Sequence, residues 1–174
     1  MLEFLHSHNY IHCDIKPDNF MVGADNNVYL IDYRLAQYFH DPTTHIHIPL
    51  ATGFDVIGTI QYASLNSHNR FQQSWQDDLE SMVYTLLYLL KGKLPWQGLV
   101  SSSNINWAGT VCRKKQEVST EQLCDSLPPA FTAFVDHVRS LAFKEKPDYL
   151  YLHSLIQKCV DTEQKWLWGQ PVAL

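Results

Sequence analysis

The stretch between Ser74 and Gly92 constrains the fold most. Leu79, Met82, Val83, Leu86, Leu87 and Leu90 recur there at helical spacing, while Tyr84 and Tyr88 add apolar surface on other faces. The spacing predicts a helix over 75–90, with Ser74 as its N-cap and Gly92 just past its end. A helix apolar on most sides has to be buried, so the remaining chain must wrap around it. With 174 residues, 45% of them hydrophobic and 18% charged, there is material for one domain with a filled core, not a disordered or fibrous segment.

The other elements are shorter. Leu2, Phe4 and Leu5 read as the end of an amphipathic helix that Asn9 terminates. Ser119-Thr120-Glu121-Gln122 offers a capping-box start to a brief helix. Phe131, Phe134, Val135, Val138, Leu141 and Ala142 mark another amphipathic helix, Lys146-Pro147-Asp148-Tyr149 breaks it, and Leu152 to Cys159 resumes one. Phe20 to Val22 and Val28 to Ile31 flank a Gly23-Ala24-Asp25-Asn26-Asn27 turn, the pattern of a hairpin. The expected class is therefore mainly α with one small β-hairpin. Trp166 and Trp168 lie in a tail whose pattern does not place them.

The chemistry gathers in His12-Cys13-Asp14-Ile15-Lys16-Pro17-Asp18-Asn19 and in Asp32-Tyr33-Arg34, thirteen residues beyond Asn19. Any one of these residues alone reads as part of a solvated polar turn. The ordered set supplies a carboxylate, an ammonium, a carboxamide and a second carboxylate, the inventory for moving a phosphoryl group from a metal-bound nucleotide to a hydroxyl. Asp14 suits the orientation and deprotonation of the attacking hydroxyl, and Lys16 the charge on the transferring phosphate. Asn19 and Asp32 offer hard oxygen ligands to magnesium.

Several functions are disfavoured. A net charge of -5 argues against nucleic acid or an anionic membrane as the main partner. No run of eighteen apolar residues occurs, and the N-terminus lacks the pattern of a signal peptide. Cys13, Cys112, Cys124 and Cys159 show no paired spacing and read as reduced thiols, which suits the cytoplasm or nucleus. His6/His8 and His45/His47 are pairs without a second cluster to complete a zinc site. The expected state is a monomer that meets a protein substrate or binding partner.

The chain resembles the eukaryotic protein kinases, and within them the casein kinase 1 family, through HCDIKPDNF, YLIDYRLA, HDPTTHIHIP, GTIQYASLNSH, QDDLES, LPWQGL and KPDYLYL. The resemblance implies one partial kinase domain over 1–174, its large C-terminal lobe. Within it fall a catalytic loop at 10–19, a metal-binding and activation segment at 32–66, a central buried helix at 75–90 and C-terminal helices at 104–165. It implies transfer of the ATP γ-phosphate to serine or threonine, with Asp14, Lys16 and Asn19 catalytic. Lys16, Asn19 and Asp32 would meet the nucleotide and its Mg2+, the metal ligands being Asn19 and Asp32. His12 would bond backbone near Asp32, and Asp78 the catalytic-loop backbone near His12. Without the resemblance, Asp78 also reads as a solvent-facing acid in a first helical turn.

Departures from the family are equally specific. Met1 falls in the last two turns of the helix before the catalytic loop, and the 174 residues hold no counterpart of the glycine-rich loop, the strand lysine with its glutamate partner, or the adenine hinge. Cys13 stands where the family has arginine, which removes a contact to a phosphorylated or acidic activation loop. Tyr33 and Arg34 stand for phenylalanine and glycine. A left-handed backbone at Arg34 costs roughly 1 to 2 kcal/mol if it is required there, and the guanidinium competes with magnesium for Asp32. Residues without positive charge at Leu50 to Ile57, Gln61 and Val100 to Ser103 replace basic ones that bind phosphate on primed substrates, so such substrates are expected to bind weakly. Three readings result: a kinase lobe that alone transfers phosphate poorly or not at all, a noncatalytic pseudokinase-like interaction module, and an incomplete piece of a longer kinase.

Overall fold

Burial of α3, Trp75–Lys91, organises the computed structural model, which describes residues 1–99 and 107–167, with side chains up to residue 162. Around it lie α1 (Leu2–Ser7), α2 (Leu65–His68), α4 (Trp107–Glu117), α5 (Thr120–Leu123), α6 (Pro129–Ser140) and α7 (Tyr149–Leu167). Leu79, Val83, Tyr84 and Leu87 of α3 share one core with Leu2, Trp96, Val111, Phe134, Val138 and Leu152. Ser74 N donates to Asp77 Oδ2 at 2.7 Å, and Gly92 takes φ 73 past the last turn. The C-terminal end of α3 departs from the expected all-round burial, since Leu89 and Leu90 are 61% and 48% exposed.

The architecture is mainly α, with two small antiparallel sheets. In one, β2 (Phe20–Val22) pairs with β3 (Val28–Leu30) in the register Phe20↔Leu30, Met21↔Tyr29, Val22↔Val28. Asn26 turns this hairpin with φ 61, and Gly23 N donates to Asn27 O at 2.8 Å. The other sheet pairs β1 (Tyr10–Ile11) with β4 (Gln37–Tyr38). Its strands hold two residues each, too few to leave a period in the sequence.

Helix boundaries follow local chemistry. Asn9, with φ 65, supplies the left-handed residue after α1. The capping box at Ser119 and Gln122 starts α5 through Gln122 N to Ser119 Oγ and Ser119 N to Gln122 Oε1. The α6 helix ends at Ser140, so Leu141 and Ala142 lie beyond it, and Ala142 N donates instead to Glu145 Oε2 at 2.9 Å. Asp148 Oδ1 accepts from Tyr151 N at 2.9 Å, which starts α7 ahead of the expected Leu152. Among the described residues no helix is long and apolar enough to cross a membrane. The readings at Val100 to Ser103 and for the Trp166 and Trp168 side chains fall outside what is described.

Candidate active site

The loop from His12 to Asn19 is hung from α3 by one side chain. Asp78 is 1% exposed; its Oδ2 accepts from His12 N at 2.7 Å and its Oδ1 from Cys13 N at 2.9 Å. Two backbone donors and a buried carboxylate fix the loop where Cys13 turns through φ 65. The solvent-facing alternative for Asp78 is thereby replaced by burial. His6, which in the sequence stands only in an incomplete zinc pair, donates from Nε2 to Asp78 Oδ2 at 3.0 Å while its Nδ1 accepts from the Tyr149 hydroxyl. His12 donates from Nε2 to Ile31 O at 3.0 Å, joining the loop to the backbone just before Asp32.

Asp14, Lys16 and Asn19 come together. Lys16 Nζ lies 2.7 Å from Asp14 Oδ2, and the Asn19 amide donates to Asp14 O at 2.7 Å. Thr59 completes the set: its N–H and its hydroxyl each donate to Asp14 Oδ1 at 2.8 Å, and its Oγ1 accepts from Lys16 Nζ at 3.0 Å. Burial pushes the Asp14 carboxyl up, but Lys16 and the Thr59 donors outweigh it and hold it below its ordinary value. The result is an oriented, ionised carboxylate beside an ammonium, an arrangement suited to accepting a proton from a hydroxyl.

Thr59 is itself fixed. Its carbonyl accepts from Tyr62 N and Ala63 N, each at 2.8 Å. Lys115, 1% exposed, donates to Ile60 O at 3.1 Å and to Ala63 O at 2.6 Å, and Trp96 Nε1 donates to Gln61 O at 2.8 Å. Gly58 precedes it with φ +90, and a Cβ there would meet Cys13 O at 2.4 Å, so only glycine lets the two loops touch. Gly58 and Thr59 open the GTIQYASLNSH segment, but the contact of Thr59 with Asp14 spans 45 positions and no spacing signals it. Lys115 carried no signal either, being one of a run of basic residues on an unremarkable helix.

Asp32 has a partner of its own in Arg34, with Lys16 a smaller influence on its carboxyl. Arg34 donates from Nε to Asp32 Oδ1 and from Nη2 to Asp32 Oδ2, both at 2.6 Å, and the bidentate pair holds the Asp32 carboxyl down at about 2. The left-handed backbone falls on Asp32, φ 65, and not on Arg34, which sits in a 3-10 turn with Tyr33 and Leu35. The strain expected at Arg34 is therefore absent. Tyr33 keeps its ring against His12, 5.1 Å between centroids, and donates its hydroxyl to Leu30 O at 3.1 Å.

As a metal ligand, Asp32 does not fit magnesium in this arrangement, because both its oxygens accept from a guanidinium that already supplies the counter-charge. The Asn19 amide nitrogen donates to Asp14 O, a bond that does not engage the carboxamide oxygen that would meet the metal. Among the described residues no group of three or more His, Cys, Asp or Glu could hold a metal ion. Cys13 is buried and accepts from Gln37 Nε2 at 3.1 Å; burial pushes its thiol well above its ordinary value. A family model described as protein kinase domain matches residues 1–164.

Proposed function

The chain belongs to the protein kinase domain family, and from that premise we propose that it is a casein kinase 1-like serine/threonine kinase lobe of weak catalytic activity. Kinases of this family in general use ATP and Mg2+. The observation that carries the reading is the Asp14 carboxylate held between Lys16 and Thr59. With Oδ1 fixed by two donors, a serine or threonine hydroxyl brought to Oδ2 is oriented and passes its proton to Asp14. General-base help of this kind is worth about a hundred- to ten-thousand-fold in rate. Lys16, 3.0 Å from Thr59 Oγ1, would supply positive charge to the transferring phosphoryl group.

Low activity follows from Arg34, which occupies the Asp32 carboxylate in a reaction where positioning supplies roughly 7 to 11 kcal/mol of barrier lowering. That same pair favours a second reading, a noncatalytic module that binds a protein partner through a kinase-like lobe. In either case the proposed setting is the cytoplasm or nucleus, as a monomer, with a protein and not nucleic acid or membrane as partner. Phosphate transfer from ATP to serine in an acidic protein, lost on Asp14→Asn, supports the first reading. Absence of transfer at any magnesium concentration supports the second.

A further inference from the structure

We propose that Tyr10 and Tyr38 form an oxidative cross-linking site, a dityrosine pair that staples the strand entering the catalytic loop to the strand leaving the Asp32 turn. The two residues are direct partners across β1 and β4. Their rings lie 4.1 Å apart at 32°, and the Tyr10 hydroxyl donates to the Tyr38 hydroxyl at 2.5 Å. Rings this close to parallel, with their hydroxyls in contact, bring the ortho carbons beside those hydroxyls face to face. Tyr38 is 44% exposed, so a diffusing oxidant reaches the pair.

No other tyrosine pair among the described residues has this geometry. Tyr62 and Tyr88 meet edge-on at 5.9 Å and 81°. Tyr29 donates its hydroxyl to Asp25, and Tyr33 to a backbone carbonyl.

The chemistry balances with a peroxide as oxidant and a haem peroxidase as catalyst. Each phenol loses one electron and one proton, and one hydrogen peroxide is reduced to two waters. The two phenoxyl radicals form a carbon–carbon bond between ortho positions. Each ring then shifts its ortho C–H proton to oxygen, which restores both hydroxyls and leaves the chain two hydrogen atoms lighter. The link spans 28 positions of chain that include the catalytic loop and Asp32. Closing a loop of that length removes freedom from the unfolded chain, so the melting midpoint rises by roughly 5 to 10 °C. This inference stands whether or not the lobe transfers phosphate.

The test treats the purified chain with a haem peroxidase and limiting hydrogen peroxide, then reads dityrosine fluorescence and maps linked peptides by mass. The expected result is a Tyr10–Tyr38 link within one chain, lost in Tyr10→Phe and in Tyr38→Phe and kept in Tyr29→Phe. A second arm oxidises the chain in urea, where the yield should fall at least five-fold. A link through other tyrosines, a link only between chains, dityrosine persisting in Tyr10→Phe, or an equal yield in urea would each overturn the proposal.

Discussion

Thr59 holds one oxygen of Asp14 with two donors at once, its backbone N–H and its hydroxyl, each 2.8 Å from Oδ1. The contact ties the activation segment to the catalytic loop at the carboxylate on which the proposed chemistry depends. Thr59→Val keeps the shape and the N–H but removes the hydroxyl. The expected cost is about 2 kcal/mol in stability, because the lost bond is to a charged acceptor. Urea unfolding of the two proteins side by side measures it, and the midpoint should fall with no change in slope.

Gly58 makes that contact possible. Alanine there combines φ +90 with a Cβ 2.4 Å from Cys13 O, which should destabilise the chain by about 2 to 4 kcal/mol. A thermal melt tests this, and a melt indistinguishable from the parent would show that the two loops do not approach so closely.

Asp78 carries the catalytic loop on α3. Asn in its place retains one acceptor but turns an amide toward either His12 N or Cys13 N, both buried donors. The expected loss is about 3 kcal/mol, with faster proteolysis of the 10–19 loop as the local sign. Equal protease resistance in the variant would count against the role given to Asp78.

Acid stability should depend on His68. Burial, then the nearby Lys115 ammonium, lowers its value from 6.5 to about 4, so the folded state keeps the ring neutral where the unfolded chain would protonate it. Its contribution is present above pH 6.5 and is lost as pH falls from 6.5 to 4. The ring is partly solvated, so His68→Gln should flatten the acid limb by about 1 to 2 kcal/mol. Denaturant unfolding at pH 5 and pH 7 gives the comparison; an unchanged acid limb in the variant would count against the neutral buried ring.

The fold was legible where a period or a cap carries it. Helix α3, the Gly23-to-Asn27 turn and the Ser119 capping box all depend on neighbours within a few positions. The site was legible as an inventory, since Asp14, Lys16 and Asn19 lie within six residues of one another. Thr59, His6 and Lys115 were not, because each reaches its partner across 45 or more positions. Arg34 was legible as a competitor for Asp32, but the left-handed conformation falls two positions earlier in the turn, on Asp32 itself.

The central claim is that Asp14 is the proton-accepting group of a kinase site whose second carboxylate is held by Arg34. Magnesium-dependent phosphate transfer from ATP to an acidic protein tests it most directly, compared among the parent chain, Arg34→Gly and Arg34→Gly with Asp14→Asn. The account predicts transfer at least ten-fold above the parent in Arg34→Gly, and none once Asp14 is also replaced. Transfer no higher in Arg34→Gly than in the parent, or transfer that survives the loss of Asp14, would contradict it.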